Sequence, residues 1–189
     1  MMGNWLLTIT LLLIFITAVV LMARLLTNMS TSRTWMKDWK QVAQENGLTY
    51  WEMYGQSNIT GMYRGRLLKM LGSVKLGTTM LIATNNWNNN HLEIKSKGLP
   101  ASSNPDLETQ FREGLTIQSR SSEFSSYLFS SMELRRRLAQ LATTPNLTVT
   151  LSGEELGLRT PAVIHKPEDV VAYLDILSDL AGQIELIKL

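Results

Sequence analysis

The stretch Trp5–Ala23 (WLLTITLLLIFITAVVLMA) runs for 19 residues without a charge. As a helix it would extend roughly 28 Å, about the thickness of one hydrocarbon core. Thr8, Thr10 and Thr17 can bond back to the helix's own carbonyls. Arg24 stands at one end, where its stem can snorkel to headgroups, and Trp5 suits the opposite interface. A cleaved signal peptide fits less well, because no Lys or Arg precedes the apolar run. These features predict a transmembrane helix over residues 5–26. Arg24, Arg33, Lys37 and Lys40 all follow the run. The flanking-charge rule therefore predicts a single-pass protein of the cell membrane, N-terminus outside and C-terminal part cytoplasmic.

Residues 27–33 read as a polar tether, and residues 34–189 as one α+β domain of antiparallel sheet packed with helices. Trp35, Trp39, Val42 and Ala43 share a helical face over about 34–46, and Asn46-Gly47 is a stop signal. The two tryptophans could lie in a membrane interface or in the domain. Leu48 and Tyr50 lead straight on to a strand, which favours the domain. Strands are expected at Ile59–Tyr63, Arg66–Leu71, Thr78–Thr84 and His91–Lys95, the last two flanking an Asn-rich turn at residues 85–90. Gly98–Pro105 reads as a loop, and Asn104 as the cap of a short helix to Arg112. Leu115–Ser119 alternates as a strand, and Ser122–Phe129 reads as a short helix. Ser130 and Glu133 have capping-box spacing before a helix with Leu134, Leu138 and Leu141. Leu147–Leu151 and a partner ending near Thr160 form a hairpin. Pro167 opens a last helix whose Val170, Leu174, Leu177, Leu180 and Ala181 form a stripe broad enough to cover the sheet.

The order of these features resembles a group of uncharacterised bacterial single-pass membrane proteins with a small α+β cytoplasmic domain. The residues concerned are Asn46-Gly47-Leu48-Thr49-Tyr50, Gly61-Met62-Tyr63-Arg64-Gly65-Arg66, and Phe111 ahead of the strand Leu115–Gln118. A Ser-capped helix with Leu134 and Leu138 follows, and a Leu-rich helix ends the chain. The group carries a Gly-Asp-Pro-type stretch before the central Phe. Here Asn104-Pro105-Asp106 stands instead, without the glycine. The resemblance implies fold and location, and no catalytic residues.

Chemistry is sparse. The chain has no cysteine and only His91 and His165, which excludes disulfides, thiolate catalysis and Cys-based metal sites. No phosphate loop, dinucleotide fingerprint or nucleophile elbow occurs. Glu154 and Glu155 are adjacent, so on a strand they point apart. No catalytic residue, metal or cofactor is expected. Lys+Arg number 18 and Asp+Glu 16, too even a balance for a nucleic-acid partner. The candidate contacts are basic: Arg33, Lys37 and Lys40, then Arg64 and Arg66, then Arg135, Arg136 and Arg137. The expected function is that of a membrane-anchored accessory module with a protein partner, in a larger membrane complex. The alternatives are a sensor of the anionic surface of the lipid bilayer, using these basic faces, and an enzyme with an unrecognised site.

Overall fold

The computed structural model describes residues 3–99 and 106–188, with side chains for residues 9–23, 34–99 and 106–188. Its first helix, α1, runs unbroken over Gly3–Glu45. The helix expected from Thr34 is thus the last part of a longer one, and residues 27–33 continue it. Gly47, with φ 65°, ends it.

Eight strands follow: β1 (Thr49–Met53), β2 (Gln56–Tyr63), β3 (Arg66–Ser73), β4 (Gly77–Ala83), β5 (Leu92–Ser96), β6 (Leu115–Ser119), β7 (Thr148–Ser152) and β8 (Glu155–Thr160). They form one antiparallel sheet in the order β1-β2-β3-β4-β8-β7-β5-β6. The remaining helices are α2 (Leu107–Gly114), α3 (Ser122–Leu128), α4 (Met132–Ala139) with a 3₁₀ turn at Gln140–Thr143, and α5 (Pro167–Leu186). The chain is α+β.

The membrane-spanning helix is corrected. Among the described residues no helix is long and apolar enough to cross a membrane. The single-pass assignment falls with it, and so does the orientation drawn from Arg24, Arg33, Lys37 and Lys40, because that rule presupposes a span. The side chains of Trp5, Arg24 and Arg33 lie outside the described ones. Leu11–Phe15 and Val19–Met22 contain exposed apolar side chains, whereas Trp35, Trp39, Val42 and Ala43 at the other end of the helix are buried.

Side-chain alternation divides the sheet into two faces. On one, Ile59, Met70, Met80, Leu158, Val149 and Ile94 stand opposite one another across six strands, all buried. The C-terminal part of α1 and α5 cover this face. In α5, Val170, Leu174, Leu177, Leu180, Ala181 and Ile184 are buried. Glycine at position 72 lets the Trp39 ring pack close against β3, since a Cβ there would come within 2.4 Å of its Cη2. The Trp39 indole N–H donates to the Ile164 carbonyl at 2.8 Å, tying α1 to the segment before α5.

Three local expectations change. The residue capping α4 is Ser131, whose Oγ accepts from the Leu134 N–H, while Glu133 pairs with Arg137. Asp106 caps α2, accepting from the Thr109 N–H, and Asn104 lies outside the described residues. The Asn-rich segment does not join neighbours, because β4 pairs with β8 and β5 with β7. It carries the chain past two strands, and Asn86 braces it by donating to the carbonyls of Asn90 and Gly153.

Candidate functional site

The β2–β3 hairpin turns through Arg64 (φ 47°) and Gly65 (φ 79°), the pair of left-handed conformations of a type I′ turn. That turn projects Arg64 and Arg66 toward α5. Asp175 and Asp179 lie one turn apart on α5, so both face the hairpin. Arg64 meets Asp175 at 2.8 Å and Asp179 at 3.5 Å. Arg66 grips Glu185 with two nitrogens, at 2.5 Å and 3.3 Å. Glu185 also accepts from the Asn85 N–H at 3.3 Å, which pins the end of β4. Arg137 reaches in from α4, bonding Asp179 and, at 3.1 Å, Glu133. Between these groups lies an open cleft of about 660 Å³.

The Tyr63 hydroxyl donates to Asp175 at 2.5 Å. Burial, then this bond to a carboxylate, push its pKa up to about 12. The Arg137 guanidinium is held more firmly protonated still, first by its bond to Glu133 and then by the Asp179 charge. A direct consequence is spectroscopic. Of the five tyrosines, Tyr63 is expected to form phenolate near 12, against an ordinary value of 10.0. The unfolded chain releases this proton first, so Tyr63 lowers stability as pH rises through that window and has no such effect below it. The absorbance titration of the parent minus that of Tyr63→Phe should therefore have its midpoint near 12. A midpoint at 10 would mean that neither the burial of Tyr63 nor its bond to Asp175 holds in solution.

The predicted basic residues with described side chains separate into three sets. Arg64, Arg66 and Arg137 come together at the cleft, paired with carboxylates. Arg135 faces elsewhere, bonding Glu108 at 3.2 Å and the Phe129 carbonyl at 2.9 Å. Lys37, Lys40 and Arg136 are exposed, with no carboxylate partner among the described residues. Among the described residues no group of three His, Asp or Glu is placed to hold a metal ion. His91 is half-buried and His165 exposed. The cleft is thus a charge-neutralised joint between hairpin, α4 and α5.

The second candidate surface is the outer face of the sheet. On β5, β6 and β7 it carries Glu93, Lys95, Thr116, Gln118, Thr148 and Thr150, as a face toward water requires. On β1–β3 it carries exposed Trp51, Met53, Met62, Leu67 and Leu71. Met62 and Leu67 stand directly opposite each other, as do Trp51 and Asn58, and Asn58 and Leu71. The apolar residues thus form a strip in two parts, Met62 with Leu67 and Trp51 with Met53 and Leu71, with the row Thr49, Thr60 and Lys69 between them. The strip was missed in sequence, although β3 (RLLKMLGS) is apolar at both parities, the pattern of a strand covered on both faces.

No protein-family model matches the chain, and no curated protein does. Among solved structures, a crystal structure of the mycobacterial trehalose monomycolate transport factor A, TtfA, matches with a TM-score of 0.57. The fold is similar to that of TtfA. Sequence identity is 13%, and the match covers 82% of this chain and 97% of the other. At that identity the likeness is one of fold.

Proposed function

We propose that the protein is an accessory module that works by holding a partner protein on the apolar strip around Met62, Leu67 and Leu71, without catalysis of its own. The observation that carries this reading is that the exposed large apolar side chains of the outer sheet face gather on β1–β3, while β5–β7 present polar ones. Five large apolar side chains exposed on one part of a sheet face are more than singly scattered surface hydrophobics, and such a patch marks an interaction site. The similarity of fold to a protein named as a transport factor supports an accessory role. Sensing of an anionic lipid surface is less well supported, because Arg64, Arg66, Arg135 and Arg137 are already occupied by carboxylates or carbonyls.

The test is affinity capture of the full chain in mild detergent, comparing the parent with the double variant Leu67→Asp and Leu71→Asp. Both side chains are exposed, so the melting temperature should hardly move. Burying each leucine in an interface is worth roughly 1.5–3 kcal/mol, so the variant should lose a stoichiometric partner by well over tenfold. Equal recovery by parent and variant would overturn the proposal.

A further inference from the structure

The strand β1 is an edge of the sheet, and β2 occupies only one of its sides. Its sequence, TYWEM, has no proline, no lysine and a single acid, so little in it blunts the free side. The hairpin to β2 turns through Tyr54 (φ 52°) and Gly55 (φ 72°), a two-residue type I′ turn closed between Met53 and Gln56. Hydrogen-bonded pairs alternate along an antiparallel ladder, so Met53, Trp51 and Thr49 bond to β2. The backbone N–H and C=O groups of Tyr50 and Glu52 therefore point away from the sheet.

We propose that β1 is a self-association edge, pairing antiparallel with β1 of a second copy about a two-fold axis through Trp51. In this register Tyr50 of each copy exchanges backbone bonds with Glu52 of the other. Within its own chain the Tyr50 hydroxyl lies 2.9 Å from the Ser57 Oγ and 3.5 Å from a Glu52 carboxylate oxygen; across the axis each Tyr50 also stands opposite Glu52 of the other copy, twice by symmetry. Among the described residues no cation pairs with Glu52. The two alternative symmetric registers are poorer: centring on Glu52 sets two acids opposite each other, and centring on Tyr50 leaves Glu52 facing Leu48. On the outer face, Trp51, already 45% exposed, meets its symmetry mate. That is a non-hydrogen-bonded position, where opposed side chains come closest and aromatic pairs stabilise best. The contact is isologous and closed, so it stops at a dimer. It also joins the apolar strips of the two copies into one surface. The inference does not rest on the proposed partner protein.

The chain has no cysteine, so single cysteines report position cleanly. Full-length Trp51→Cys, Tyr50→Cys and Glu52→Cys, in non-ionic detergent, would be treated with a mild oxidant. Residue 51 meets its own mate at a Cα separation of about 4.5 Å, within disulfide reach. Residues 50 and 52 are each offset from their own mates by two positions, roughly 7 Å, and are not. Trp51→Cys should therefore cross-link several-fold more than either neighbour. The double variant Thr49→Cys with Met53→Cys keeps Trp51 and should cross-link equally well, since Thr49 faces Met53 of the second copy. A maximum at residue 50 or 52, uniform cross-linking along the strand, or no dimer in variants that melt like the parent would each overturn the proposal.

Discussion

Truncating Leu174 and Leu177 together to alanine is expected to leave the chain largely unfolded at physiological temperature. Both side chains are fully buried on the face of α5 that covers the sheet. A buried leucine truncated to alanine loses its transfer free energy and leaves a cavity, about 2–5 kcal/mol. A domain of this size has only about 5–15 kcal/mol in total. The two positions are one helical turn apart, so their cavities can merge and the effects need not add. Denaturant unfolding followed by tryptophan fluorescence checks this, because Trp35 and Trp39 lie in the same core. A double variant that melts like the parent would mean that α5 is not part of that core.

The second large effect is expected at Trp39. Its indole is fully buried, stands edge-on to Trp35 at 5.2 Å and fills the space left by Gly72. Trp39→Ala should lose about 3–5 kcal/mol. It would also strand the Ile164 carbonyl, which accepts the indole N–H. Phenylalanine separates the two contributions. Trp39→Phe keeps most of the apolar area and leaves that carbonyl unpaired, a loss of about 1–3 kcal/mol. Trp35→Phe should lose less, because the Trp35 Nε1 is buried without a hydrogen-bond partner. The reverse order of the two phenylalanine variants, in the same unfolding measurement, would contradict the assigned bond.

The parts of the fold that were legible in sequence are those that local pattern determines. The stripe Val170–Ala181 and the pair Trp35 and Trp39 repeat at helical spacing, and both are buried. Boundaries set by fine geometry were displaced. Ser130 and Ser131 are both good caps, and only the backbone path decides that Ser131 accepts from Leu134. Strand order was not legible around residues 85–90, because a turn-forming composition suits a crossover as well as a hairpin. The apolar run near the N-terminus suggested a span through its lack of charge. The helix that contains it continues into the domain, and no helix among the described residues meets the length and hydropathy needed. The pairing of the arginines was not legible for a different reason. Their partners lie far along the chain, Asp175 from Arg64 and Glu185 from Arg66, so a sequence shows the cations as free when the fold has neutralised them.

Methionine oxidation in the complex tests most directly whether the apolar strip, and not the arginine-lined cleft, is the docking surface. Met62 lies on the strip and Met132 at the start of α4 beside the cleft, with nearly equal exposures of 60% and 57%. In the purified chain the two should convert to sulfoxide at similar rates, since susceptibility follows exposure. After capture with a bound partner, Met62 should be protected and Met132 should oxidise as before. Protection of Met132 with Met62 unprotected would place the partner at the cleft and contradict the account.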